Sequence, residues 1–283
     1  MSPGEFQHVT VIGVGLMGGS LGLAIKARNP RVKIAGVGRR KRSLDDALTV
    51  GAIDTAHLDA AEAAGQSDLI ILATPVGAFE RHLRVIAPVL RRRAIVTDVG
   101  STKAAVVRAA LRVLGKSAPF VGSHPMAGSE HKGVRFAKAN LFDGTTCIIT
   151  PTAQTPQAAA RRVEKLWRLL GMRVVRLTPA AHDKAMARIS HLPHALASLL
   201  MVLAKKADLD VSASGFRDTT RLASGDAEMW RDIFLTNRKA ILAAIDEFDE
   251  VLYHLRDLIQ LGDAPGIEKF LTVAKRRRDG MRT

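Results

Sequence analysis

Six residues near the N-terminus, Gly13-Val14-Gly15-Leu16-Met17-Gly18, constrain this chain more than any other stretch. They spell G-x-G-x-x-G directly behind Val9-Thr10-Val11-Ile12, a β-branched and apolar run. Behind them, Gly19-Ser20-Leu21-Gly22-Leu23-Ala24-Ile25-Lys26 reads as a helix of small and apolar residues. In a strand–turn–helix unit each glycine has a physical task. Gly13 permits the tight turn, Gly15 lets the backbone approach a pyrophosphate, and Gly18 lets helix and strand pack closely. The free N–H groups at the helix start, from Leu16 and Met17 onward, then face the phosphates with the positive dipole end behind them. An ordinary glycine turn could carry the same letters; the flanking strand and helix favour a dinucleotide site.

The rest of the first half alternates in the same rhythm. Short apolar strands are expected at 32–37, 68–74, 94–99, 120–122, 146–150 and 173–177, with helices at 44–50, 79–90, 103–114 and 156–170. The run Asp68-Leu69-Ile70-Ile71-Leu72-Ala73-Thr74 is nearly continuous in apolar residues, as a strand buried on both faces should be. Thr74 and Pro75 close it at the strand's C-terminal end and are assigned to the cofactor, because open α/β sheets bind ligands there. This βαβ order predicts an α/β, Rossmann-type, doubly wound and mostly parallel sheet over residues 1–178.

After Leu177-Thr178-Pro179 no further strands are expected, and residues 179–283 read as an all-α domain. A long helix spans 181–206, with a kink expected at Pro193, followed by helices near 211–223, 227–255 (broken) and 266–277. Residues 195–203 are apolar on more than one face and need a partner surface, which suggests a homodimer through this half.

A chain of 283 residues suits roughly two domains. Its 47% hydrophobic content supports a core, and no uninterrupted apolar run reaches the length of about 20 that a bilayer demands. No membrane partner, signal peptide or metal site is expected. The single cysteine, Cys147, excludes an intrachain disulfide, fits a cytoplasmic location, and is read as a buried structural thiol. The net charge of +15 is concentrated at 39–42, 91–93 and 275–278. No helix-turn-helix, zinc-finger or RNA-recognition pattern accompanies it, and 4% aromatics make a base-stacking platform improbable, so nucleic acid is not an expected partner. A non-enzymatic, basic dinucleotide- or nucleic-acid-binding protein stays the remote alternative. The last cluster reads as a solvated tail.

The first cluster has a sharper reading. Dinucleotide sites for NAD place Asp or Glu at the end of the second strand, against the ribose 2′-OH. Here Gly38-Arg39-Arg40-Lys41-Arg42 stands at that point. Arg39 and Arg40 suit a 2′-phosphate, which favours NADP over NAD; a basic surface turn is the bland alternative.

Three polar stretches fall at expected strand ends or in the helical half: Asp98-Val99-Gly100-Ser101-Thr102-Lys103, Gly122-Ser123-His124-Pro125-Met126-Ala127-Gly128-Ser129-Glu130, and Ser190-His191-Leu192-Pro193-His194. Read singly they are unremarkable. Ser101 could cap a helix, Lys103 could face solvent, and His124 could bond a backbone group. Ser190 and His194, four apart, would share a helix face from which His191 points away.

Together with Gly215-Phe216-Arg217-Asp218-Thr219-Thr220-Arg221 and Met229-Trp230-Arg231-Asp232, they resemble the prephenate and arogenate dehydrogenase family over nearly the whole chain. The resemblance implies oxidative decarboxylation of a cyclohexadiene whose ring becomes aromatic, with prephenate preferred and an arogenate or dual-substrate enzyme as the alternative. It implies that His124 assists removal of the 4-hydroxyl proton and that Ser101 orients His124 or the hydroxyl. Arg221 would hold the ring carboxylate. Ser129 and Glu130 would lie in a substrate gate, Ser190 and His194 would contact substrate and nicotinamide, and Trp230 would wall the pocket unless it merely packs the core. Ser129 stands where the family often has threonine. Another two-domain dehydrogenase would instead need a helix-borne catalytic lysine. No appended regulatory or chorismate mutase segment is expected.

Overall fold

The structure, a computed structural model, describes residues 6–115, 119–128 and 131–281. Its first half runs β1 (His8–Ile12), α1 (Leu16–Arg28), β2 (Lys33–Val37), α2 (Lys41–Thr49), β3 (Thr55–His57), α3 (Ala60–Ala64), β4 (Leu69–Leu72), α4 (Phe79–Ile86), β5 (Ile95–Asp98), α5 (Ala104–Leu114), β6 (Phe120–Pro125), β7 (Thr146–Thr150), α6 (Gln157–Leu169) and β8 (Arg173–Arg176). The eight strands form one sheet in the order β3-β2-β1-β4-β5-β6-β7-β8. All pairs are parallel except β6 with β7. Strand order reverses at β1 and β4, and a crevice opens beyond the strand ends at such a point. It is a Rossmann-type, doubly wound sheet.

The strand β4 shows why the sequence folds this way. Its residues alternate between two cores: Leu69 and Ile71 pack with Leu21 of α1 and Trp167 of α6, while Ile70 and Leu72 pack with Phe79 of α4 and Val106 of α5. All four are fully buried. Burial of each is worth roughly 1.5–3 kcal/mol, so helices on both faces are required to cover the run.

Two elements of the first half have no counterpart in the sequence reading. The strand β3 has three residues at a sheet edge and no alternating apolar pattern, and α3 is a five-residue Ala-Ala-Glu-Ala-Ala turn whose start is fixed by Asp59 accepting from the Ala61 N–H at 2.8 Å. The strand β6 is longer than expected. It runs on through Ser123, His124 and Pro125, paired antiparallel to Ile149, Ile148 and Cys147. These residues look like loop because they are polar, yet all three are buried.

The second half is helical: α7 (Pro179–Met186), a π turn (Ala187–His191), α8 (Leu192–Leu203), α9 (Lys206–Asp210), α10 (Ser214–Thr220), a 3₁₀ turn (Arg221–Ser224), α11 (Ala227–Thr236), α12 (Arg238–Leu261) and α13 (Ala264–Asp279). The break expected at Pro193 is met differently. Pro193 lies in the first turn of α8, and the preceding turn widens to π, which accommodates the missing N–H and the bulk of the ring. The stretch 227–255 is broken at Asn237, between α11 and α12.

The helical run Pro179–Leu203 is 25 residues long and, by length and composition alone, apolar enough to cross a bilayer. Counting uninterrupted apolar residues misses this, because charged residues and histidines are spread along it. Its His182, Asp183, His191 and His194 are buried in the fold. The helical half has a small core of its own, Ala187 with Ile241 and Ala244, and α12 buries only those last two of its 24 residues.

Candidate active site

The glycine turn is built as its sequence demands. Gly13 has φ of +101°, and its N–H reaches the Val37 carbonyl at 2.8 Å. A Cβ on Gly18 would lie 2.1 Å from the Gly13 carbonyl oxygen, so any side chain there would push α1 off β1. A Cβ on Gly15 would meet nothing within 4 Å, so the backbone of this turn borders open space. Helix α1 opens there, with no side-chain cap and no acidic residue in its first turn, at Leu16 and Met17. Its unpaired N–H groups suit a phosphate. Thr74 lies against Gly13 from the end of β4, with Pro75 exposed beside it. Arg39 and Arg40 are exposed at the end of β2, and Arg40 immediately precedes α2. Arg39 is close enough to His82 to help hold its imidazole below the usual histidine range, after burial and Arg81.

At the ends of β5 and β6 lies a buried polar network. Lys103 is completely buried, not facing solvent, and its ammonium pairs with the Asp98 carboxylate. Lys103 Nζ also donates to the Ser123 carbonyl at 2.8 Å, and Asp98 accepts from the N–H groups of Ser123 and Gly100, each at 2.9 Å. The neighbouring Trp167 Nε1 donates to Ser123 Oγ at 3.1 Å. A buried ion pair is tolerated only when hydrogen bonds satisfy both partners in this way. Ser101 does not cap α5. The Asp183 carboxylate does so from the other half of the chain, accepting from the N–H groups of Lys103 at 2.7 Å and Ala104 at 2.9 Å. Ser101 is half-buried just beyond β5.

His124, on β6, points into this seam. Its Nδ1 is 2.8 Å from His182 Nε2, and His182 Nδ1 is 2.8 Å from Asp183 Oδ1. Burial pushes the His124 imidazole well below the usual histidine range, and His182, Lys103 and His191 add to the effect. Its neighbour Cys147 is a buried free thiol that burial pushes up, so it is no nucleophile at neutral pH.

The π turn changes the third polar stretch. His191 is fully buried, with Nδ1 3.1 Å from Asn237 Nδ2, and its ring meets Trp230 edge-on at 6.1 Å, so it reaches the same aromatic residue as His194. Ser190 is half-buried. His194 stacks flat on Trp230, ring centroids 3.5 Å apart, so Trp230 both packs and presents an aromatic surface. His191 Nε2 and His194 Nδ1, like Thr150 Oγ1 in the sheet, are buried without a hydrogen-bond partner among the described residues. Arg221 is exposed on the 3₁₀ turn that packs against α8. That turn ends at Gly225, whose Cβ would collide with Trp230 and His194. The structure thus links His124, through α7 and the π turn, to His194, Trp230 and the Arg221 turn. Ser129 and Glu130 lie outside the described residues. Sequence reasoning missed His182 and Asp183, whose adjacent polar letters in a helical stretch look like solvent-facing positions.

Comparison with known proteins decides the family. Residues 21–176 match the description "Prephenate dehydrogenase, nucleotide-binding domain", and residues 178–273 match "Prephenate dehydrogenase, dimerization domain". The chain belongs to the prephenate dehydrogenase family. It is 35% identical over 280 residues to the prephenate dehydrogenase of Bacillus subtilis, covering 96% of this chain and 76% of that one. It is 32% identical over 288 residues to the cyclohexadienyl dehydrogenase of Zymomonas mobilis, covering 98% and 97%. A crystal structure of the A. aeolicus prephenate dehydrogenase with hydroxyphenyl propionate and NAD+ superposes with a TM-score of 0.90 at 34% identity, covering 96% and 97%. Prephenate dehydrogenases are oxidoreductases. The first matched residue, Leu21, falls beyond the glycine turn, so that turn is independent support for the nucleotide site.

Proposed function

We propose that this chain oxidises prephenate to 4-hydroxyphenylpyruvate with loss of carbon dioxide, using a nicotinamide dinucleotide, in the route to tyrosine. The observation that carries the reading is His124: a buried neutral imidazole at the C-terminal edge of the sheet, in a seam shared with the helical half. The cofactor's pyrophosphate fits the turn of Gly13, Gly15, Leu16, Met17 and Gly18, with Thr74 and Pro75 alongside. When bound, the oxidised nicotinamide supplies the hydride acceptor. Arg39 and Arg40 favour NADP over NAD, since no carboxylate stands at the end of β2 to meet a free 2′-hydroxyl.

Within the pocket, His124 takes the proton of the 4-hydroxyl as ring carbon 4 loses hydride, and Ser101 orients it. The bond from ring carbon 1 to its carboxylate breaks, its electron pair completes the aromatic ring, and the borrowed proton returns to the phenol oxygen. Arg221 holds the ring carboxylate, which a guanidinium fork matches in shape. Ser190 and His194 contact substrate and nicotinamide, with Trp230 as the wall. Ser129 and Glu130 keep their sequence-based assignment to the gate. The buried free thiol of Cys147 fits a cytoplasmic protein, and the two halves divide at 178/179. Similarity to the Zymomonas mobilis enzyme favours a second reading, in which arogenate is also accepted.

The test is absorbance at 340 nm with prephenate and with arogenate, each run with NADP and with NAD. Turnover of prephenate, faster with NADP, is expected. No absorbance change with either substrate would refute the reading.

A further inference from the structure

The base just described must hold its proton on the correct nitrogen. Two neutral tautomers of His124 are possible, and only one leaves a lone pair on Nε2. The surroundings choose between them through a chain of acceptors. Asp183 is a carboxylate, and although burial works to raise it, hydrogen bonds from His182 and from the Lys103 and Ala104 N–H groups hold it below its ordinary value. An ionised carboxylate only accepts. The atom of His182 facing it at 2.8 Å, Nδ1, therefore carries hydrogen. His182 is itself held neutral, chiefly by burial, so its Nε2 is bare and can only accept. The atom 2.8 Å from it is His124 Nδ1, which must donate.

We propose that Asp183 and His182 are positioning residues that fix His124 as the Nδ1–H tautomer and leave its Nε2 lone pair for the substrate hydroxyl. This rests on the assignment of His124 as the base. When Nε2 takes the hydroxyl proton, the imidazolium formed is steadied through the Nδ1–H to His182 and by the negative charge of Asp183. No atom is lost along the chain, because the same proton goes back to the product oxygen. The other groups facing the chain leave Asp183 this role. Asp98 on β5 is matched by Lys103 at the start of α5, Cys147 on β7 is held as a neutral thiol, and His191 and His194 on the π turn and α8 are held neutral by burial. Asp183 also ties the halves together by capping α5, and Asn237 Nδ2 donates to its backbone carbonyl at 2.9 Å. The geometry parallels the carboxylate–imidazole pair of serine proteases, with a second imidazole inserted.

The wild-type protein is examined first, by long-range ¹H–¹⁵N correlation of histidine-labelled sample at pH 7. His124 should show hydrogen on Nδ1 and a bare Nε2; hydrogen on Nε2 would overturn the proposal. His182→Gln leaves the Asp183 caps on α5 in place and breaks only the chain. Its kcat with prephenate should fall by about tenfold or more, with KM little changed and the acid limb of its pH profile displaced. Asp183→Asn should redistribute the His124 tautomers. A His182→Gln enzyme with wild-type kcat and pH profile would also overturn it. If the wild type fails to oxidise prephenate, the functional reading falls, whereas the tautomer measurement judges the chain of hydrogen bonds by itself.

Discussion

His124 can act as a base only while it is neutral, and its surroundings keep it neutral across the physiological range. Replacing it by Asn keeps a polar side chain of similar size but removes the proton acceptor. His124→Asn should lower kcat by about 10²–10⁴ while the cofactor Kd stays near wild type, as loss of acid–base assistance predicts. Steady-state kinetics with cofactor titration by fluorescence checks both halves of that statement. At the end of β2, Arg39 and Arg40 are proposed to hold a 2′-phosphate by their charge and the fork of their guanidinium groups. The double replacement by Ala should raise KM for NADP by about tenfold or more and change KM for NAD far less. Equal effects on the two cofactors would remove the 2′-phosphate assignment. The placement of single residues was legible in sequence where it is local: a histidine at a strand's C-terminal end, two arginines after a strand. Lys103 and Asp183 were not. Each looks like an ordinary surface charge, and only tertiary packing, 80 residues apart in sequence, makes them a buried cap and its recipient.

Elements carry the next level of constraint. The approach of α1 to β1 depends on Gly18 having no side chain, since a Cβ there would overlap the Gly13 carbonyl. Gly18→Ala should move the helix start away from the strand and weaken cofactor binding, with a stability loss of about 1–3 kcal/mol from overpacking. A dinucleotide Kd unchanged by calorimetry would argue against that geometry. The π turn is the second such element. It rotates His191 inward, where burial lowers its imidazole to about 4. An unfolded histidine titrates near 6.5, so between about pH 6.5 and 4 the unfolded chain binds more protons than the folded one. Stability is therefore intact above about pH 6.5 and is lost as pH falls toward 4, by up to about 3 kcal/mol for this group. His124, His182 and His194 are lowered too and act with the same sign. The urea midpoint should thus drop between pH 7 and 5, and less steeply in His191→Gln; identical slopes would exclude His191 as a contributor. The strands and main helices were legible because their apolar spacing is regular. The π turn was not, because Pro193 announces a disturbance without saying whether the helix bends or widens, and β3 is too short and polar to leave a pattern.

At the scale of the molecule, the two halves differ in how they are stabilised. The sheet has two full cores, whereas the helical half, among the described residues, buries Met186, Ala187, Ala197, Ile233, Ile241 and Ala244, of which Ala187, Ile241 and Ala244 form a core of its own, and leaves Val202, Leu203, Val211 and Leu261 more than three-quarters exposed. Exposure of that kind marks a surface meant to be covered. We propose a second copy of the chain as the cover, and the match of residues 178–273 to a dimerization domain supports it. The outward face of α8 carries Leu199, Val202 and Leu203, while its inward side carries His194 against Trp230. One helix therefore serves both surfaces, and a change at the dimer contact should reach the pocket. Sedimentation at micromolar concentration should give a dimer for the wild type and a monomer for Val202→Glu with Leu203→Glu. Both side chains are exposed in the single chain, so the substitution should leave the monomer's own packing intact and the sheet folded. The monomer should show a lower unfolding temperature for the helical half and a raised KM for prephenate, because α8 would lose the partner that holds it against α11. A wild-type monomer, or a doubly substituted dimer, would show that these leucines and valines are covered by something other than a second copy.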